Sequence, residues 1–171
     1  MKSPQIPSNE YAPYFKRYID LVSNVSLVEA LRNGEQAIPA FYASIPDSKL
    51  HFKYAEGKWT PKEVLLHIID TERVFCYRAL YFARAENASL EGFDENVFGA
   101  NCKANTRSID DLIEEYKTVR AATISLFSSF NETTLLKGGK SNSNYSTVRS
   151  LGFIVCGHEI HHQNIINERY L

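Results

Sequence analysis

The chain has 171 residues, 44% hydrophobic and 23% charged, with a formal net charge of −1. That size and balance suit one soluble folded domain with a substantial core, and exclude a disordered or fibrous chain. The near-neutral charge removes the electrostatic case for nucleic acid or an anionic membrane surface, and no apolar run approaches the length of a membrane span.

Taken in order, Met1 to Pro7 lacks the apolar stretch of a signal peptide. Residues up to about Val25 read as an N-terminal arm. Within it Tyr11, Tyr14, Tyr18 and Val22 recur at helical spacing after Pro13, which predicts a short helix clasping the domain. Ser26-Leu27-Val28-Glu29 has the form of a capping box and opens the first main helix. Its seam, Leu27, Leu31, Gly34, Ile38, Phe41 and Ile45, steps by four and three and stops at Pro46. A loop to Trp59 follows, holding His51, Phe52, Tyr54 and Gly57.

Thr60-Pro61-Lys62-Glu63 is a strong start signal: Thr as N-cap, Pro at the first helical position, Glu at the third. The predicted helix runs to about Asn87, with seam Val64, His67, Thr71, Val74, Arg78 and Tyr81. Residues 88–107 show no strong periodicity beyond a short turn at 93–98. Ser108-Ile109-Asp110-Asp111 opens the third helix, with seam Ile109, Leu112, Tyr116, Val119, Thr123, Leu126 and Phe130. Asn131 to Ser146 is polar and reads as a loop. From about Thr147 one helix carries the chain to its end, with seam Val148, Leu151, Val155, His158, His162, Ile165 and Arg169.

Four amphipathic helices predict an all-α four-helix bundle. The link between the second and third is about 20 residues, enough at roughly 3.3 Å per residue to cross the whole bundle. The expected order is therefore up-down-down-up with one long crossover, which sets the second and fourth helices antiparallel.

Histidines replace Leu or Ile at two seam positions of the last helix, His158 and His162, one turn apart. Alone, such a pair is as consistent with core histidines bonded to carbonyls as with a metal site. A third seam histidine changes the weight. His67 lies ~9 Å along its helix from the start and the pair lies ~15 Å from the end of the last helix, so antiparallel packing brings all three to similar depth. Three imidazoles in an apolar bundle leave polar nitrogens needing a partner, and one divalent transition metal, zinc or nickel for preference, supplies it. Three ligands leave coordination positions open, which is the layout of a catalytic centre.

Glu63 and Asp70 share His67's face and are candidate catalytic carboxylates, against an N-capping role for Glu63 and a pairing with Lys or Arg for Asp70. His161 points ~100° away from His162, toward solvent or a loop, though chelation with His158 at i, i+3 is geometrically open. Cys156 points away from His158. With no paired spacing among the three cysteines, reduced thiols and a cytoplasmic location are expected. Arg78, ~16 Å of helix rise from His67, is too far to touch a metal there and is expected in a buried ion pair.

The stretch Lys58-Trp59-Thr60-Pro61-Lys62-Glu63-Val64-Leu65-Leu66-His67-Ile68-Ile69-Asp70-Thr71-Glu72-Arg73, with Gly157-His158-Glu159-Ile160-His161-His162 and the terminal Glu168-Arg169-Tyr170-Leu171, resembles the DinB-like superfamily, including its YfiT-type members. The resemblance spans about Leu27 to Leu171. It implies an up-down-down-up bundle whose metal is held by one histidine of the second helix and two of the fourth, matching His67, His158 and His162. It also implies a range of activities: S-transferases that join bacillithiol or mycothiol to electrophiles, a mycothiol-dependent isomerase, and proteins described as metal-dependent hydrolases.

The expected partners are accordingly a small-molecule thiol and an electrophile, with hydrolysis or turnover-free metal binding as alternatives. The pocket is expected at the N-terminal end of the second helix, roofed by Tyr54, Trp59 and residues 93–95. A homodimer is expected through the back of the last helix, where Phe153, Gly157, Ile160 and Leu171 form an apolar line, unless the arm covers it.

Overall fold

The computed structural model describes residues 6–171; the first five residues of the arm lie outside the described residues. The helices are α1 (Lys16–Ile19), α2 (Leu27–Ser44), α3 (Asp47–Leu50), α4 (Pro61–Arg84), α5 (Glu95–Asn101), α6 (Ile109–Ser128), α7 (Glu132–Leu136) and α8 (Val148–Arg169). The strands are β1 (Ser89–Leu90), β2 (Gly138–Ser141) and β3 (Asn144–Thr147).

The four long helices α2, α4, α6 and α8 form the bundle, and their starts follow the caps read from sequence. Ser26, Thr60, Ser108 and Thr147 each accept a hydrogen bond from a backbone N–H three residues on. At Thr60 the box is complete, because Glu63 returns a carboxylate to the Thr60 N–H at 2.8 Å. Order and direction follow from the contacts. The Tyr170 hydroxyl at the end of α8 donates to the Trp59 carbonyl at the start of α4, at 2.6 Å, so these two run antiparallel. Thr60 meets Asn105 just before α6, so α4 and α6 run the same way. The topology is up-down-down-up, as the crossover length requires.

Two apolar clusters fill the bundle. One gathers Leu31, Ala79, Phe82, Leu151 and Ile154; the other gathers Ile38, Leu65, Ile69, Leu112 and Ile166. Between them lies a charged layer. Arg120 of α6 is fully buried, and its guanidinium donates to both Glu72 oxygens of α4 at 2.8 Å. It donates also to Glu159 of α8 at 3.0 and 2.6 Å and to the Leu31 carbonyl of α2 at 3.2 Å. Tyr116 adds a hydrogen bond to Glu159 at 2.7 Å. Burial opposes the charge on Arg120, and the two carboxylates outweigh it, holding the guanidinium well above its usual pKa. Gly34 is required here, because a Cβ on α2 would overlap Glu159 and Arg120.

Two expectations are corrected. Arg78, though buried, forms no ion pair among the described residues, and the buried pairing belongs to Arg120. The stretch read as a loop from Asn131 to Ser146 contains α7 and most of a β-hairpin. Its two-residue turn, Asn142-Ser143, takes φ of 48° and 62°, the left-handed pair that matches strand twist. β1 joins β2 in parallel, so the crossover and the hairpin form one three-stranded sheet.

The back of α8 is the face on which a homodimer is expected unless the arm covers it. The arm of the same chain packs along it, and Gly157 admits the Tyr18 backbone where a Cβ would collide. Phe153 is buried. The arm thus covers this line at Gly157, while Ile160 is half-buried and Leu171 exposed. The arm is pinned at its start by Glu10, which accepts from Thr147 at 2.8 Å and from Arg149 at 2.6 Å. Among the described residues, no helix is long and apolar enough to cross a membrane.

Removing Arg120 strands two buried carboxylates, so Arg120→Ala is expected to cost about 3–5 kcal/mol in chemical denaturation. Glu159→Gln keeps its shape and removes one unbalanced negative charge, and is expected to cost less than about 1.5 kcal/mol.

Candidate metal centre

Helix α4 presents His67 inward, and α8 presents His158 and His162 one turn apart on the facing side. His67 Nε2 lies 3.1 Å from His158 Nε2, and His162 Nε2 lies 3.0 Å from His158 Nε2. One nitrogen from each ring falls within 4.8 Å of the others. Tetrahedral zinc with Zn–N of about 2.0–2.1 Å requires ligand nitrogens about 3.3 Å apart, so three converging Nε2 atoms fit a metal closely. The donor set agrees, since neutral imidazole suits zinc, nickel, copper, cobalt and iron alike.

Burial keeps the rings neutral. It pushes His67 down to about 4 and, with His67, His161 and Arg17 adding positive charge nearby, His162 to about 3. His158, buried deepest, is held well below its usual value for the same reason. Thr71, one turn after His67, sits 3.4 Å from His67 Nδ1. With Nε2 turned to a metal, Nδ1 carries the proton and donates to the Thr71 hydroxyl, which fixes the ring. Trp59 packs its ring 4.7 Å from that of His67, and Tyr18 of the arm packs 5.4 Å from His158.

The three histidines open on a cavity of about 560 Å³. Its walls come from four places: Tyr14, Phe15 and Tyr18 of the arm, Trp59 just before α4 and Phe75 on it, Phe93 and Glu95 of the crossover, and Asn142 and Asn144 of the hairpin. Trp59 and residues 93 and 95 therefore take the expected roofing positions. Tyr54 does not; it packs on Tyr170 at 5.0 Å, away from the cavity.

The structure brings together His67, His158 and His162, and places the two candidate carboxylates elsewhere. Glu63 is spent on the capping box and lies 3.5 Å from Lys53. Asp70 pairs with Arg73 at 3.4 Å, on a face shared with Glu115. Neither lines the cavity. His161 does line it, edge-on to Tyr18 at 5.3 Å, rather than facing open solvent. His51 is exposed, and Cys156 is buried away from the site. The cavity role of the arm and of the hairpin was missed from sequence; the tyrosine spacing of the arm was the available signal.

Residues 30–166 match the sequence model of the DinB superfamily. The chain belongs to that superfamily. In fold it is similar to YfiT from Bacillus subtilis, described as a probable metal-dependent hydrolase with an unusual four-helix bundle topology. The TM-score is 0.75 at 17% identity, over 83% of this chain and 82% of that one. No curated protein sequence matches the chain significantly. In this DinB-superfamily bundle the three histidines form a cluster that could hold a metal ion.

Purified protein is expected to carry about one transition-metal ion per chain by elemental analysis, lost in His162→Ala and kept in His161→Ala. Acid should affect metal-free protein first through stability. The histidine pKa values are lowered on folding, so their contribution is complete above about pH 6.5 and is lost as pH falls toward about 4. Metal affinity should drop less than about tenfold between pH 7.5 and 5.5, where three exposed imidazoles would lose about a thousandfold.

Proposed function

We propose that the protein transfers a low-molecular-weight thiol to an electrophile in a metal-dependent reaction. The observation that carries this is the three-imidazole cluster opening directly on an aromatic-walled cavity, with neither Glu63 nor Asp70 in reach of it. A metal held by His67, His158 and His162 supplies Lewis acidity that lowers the pKa of a bound thiol, and a soft thiolate suits an imidazole-held transition metal.

The chain's own residues do the rest. Tyr18 meets the His158 ring edge-on, Trp59 lies tilted against the His67 ring, and the two flank the place where the sulfur meets its target. Phe15, Phe75 and Phe93 give the apolar surface that an aryl or alkyl electrophile requires. In the net reaction a carbon–sulfur bond forms, the bond to the leaving group breaks, and the leaving group departs with its electron pair. The thiol proton passes to water or to His161, whose ring burial and the Arg17 charge keep neutral. Enclosure by the arm and hairpin positions the two reactants and limits bulk water.

Hydrolysis is the second reading, supported by the likeness to YfiT and by the same open metal positions, which could serve water instead of thiol. The two separate on one question. Thiol loss should be followed with a panel of low-molecular-weight thiols and 1-chloro-2,4-dinitrobenzene, on metal-loaded protein. Metal-dependent consumption is expected, falling at least about 100-fold in His158→Ala. Equal rates in the two proteins, together with thiol-independent cleavage of an aryl ester, would establish the hydrolase instead.

A further inference from the structure

Arg78 lines the same cavity but serves none of the steps above. It lies eleven residues after His67 on α4, ~16 Å of helix rise away, so it stands toward the opposite end from the imidazoles. It is 6% exposed. Its guanidinium is set between Phe75 and Phe93, 5.3 and 5.6 Å from the ring centroids, and donates one long hydrogen bond, 3.4 Å, to the Glu91 carbonyl.

No carboxylate balances it. Arg73, Arg107, Arg120, Arg149 and Arg169 each hold an acid, whereas among the described residues Arg78 forms no ion pair, not even with the nearby Glu95. Burial lowers its pKa without any offsetting partner. A buried cation with no counter-ion is costly, and the fold retains one here. Among the described residues none of its nitrogens is both sealed from solvent and unpartnered. Its unused donors therefore open onto the cavity.

We propose that Arg78 is an anion anchor, on which a carboxylate of the cavity's ligand docks while the ligand's other end lies at the three histidines. A planar guanidinium matches the two oxygens of one carboxylate, and the cavity's other arginine, Arg17, stands by His161 and His162 instead. Its surroundings fit that single charge: Asn142 and Asn144 add uncharged amides, and Phe75 and Phe93 add apolar surface. The ligand is thus elongated, with an acidic end, an apolar middle and a metal-seeking end. As a statement of substrate class this rests on the thiol-transfer reading, and it names a carboxylate-bearing thiol.

The test is binding, not turnover. Zinc-loaded protein is titrated calorimetrically with 8-mercaptooctanoate and with 8-mercaptooctanamide. Wild type is expected to prefer the acid by about tenfold or more. In Arg78→Gln that preference should shrink to within about twofold while affinity for the amide is unchanged, which also shows the cavity intact. Arg78→Lys, keeping the charge without the fork, should fall between. Equal affinity for acid and amide in wild type overturns the proposal without recourse to any variant. An acid preference that survives Arg78→Gln overturns it too, by placing the carboxylate elsewhere, on the metal or on Arg17. No acid preference in wild type, with thiol transfer intact, would overturn the anchor alone; preference in wild type without transfer would leave the anchor and overturn the transfer.

Discussion

The guanidinium of Arg120 ties all four bundle helices together at one level. It extends from α6 to carboxylates on α4 and α8 and to a backbone carbonyl on α2. Two apolar clusters could slide against each other by a turn at modest cost, because Leu and Ile interchange readily. The charged layer between them cannot. A slip of α4, α6 or α8 would leave a buried charge unpaired, a penalty of about 3–5 kcal/mol. The layer therefore fixes register more than it adds stability.

That register is what assembles the metal centre. Glu159 follows His158 directly, and Glu72 follows Thr71, the partner of His67. When Arg120 grips both glutamates, it also sets the depth at which the two helices carry their imidazoles. The histidine nitrogens then meet at 3.0–3.1 Å without a loop having to place any of them. The bundle helices supply the histidines, and the segments outside the bundle supply much of the cavity wall: the arm, the crossover and the hairpin close over a centre they do not build. This division lets ligand preference vary while the metal chemistry stays constant.

The fold and the histidines were legible because they follow strong local rules. Capping residues at Ser26, Thr60, Ser108 and Thr147 marked the helix starts, and the crossover length set the topology. The charged layer was not legible. Glu72, Arg120 and Glu159 each sit one residue past a position read as seam, ~100° around the helix, where charged side chains are normally assigned to solvent. The last helix held a clue, since from Val148 to Glu159 it is buried all round and leaves a glutamate no exposed face. The hairpin was hidden by its polar composition; its strands cover the end of the bundle rather than forming a core of their own. Glu63 and Asp70 shared a face with His67 on paper, but a cap and an ion pair claimed them first, as the bland alternatives for each had allowed.

X-ray absorption at the metal edge of the loaded protein tests the central claim most directly, because it reads the ligands themselves. The account predicts three imidazole nitrogens at about 2.0–2.1 Å, with one lost in His67→Ala. A sulfur scatterer at about 2.3 Å in ligand-free protein, or a shell of oxygen atoms without imidazole, would contradict it.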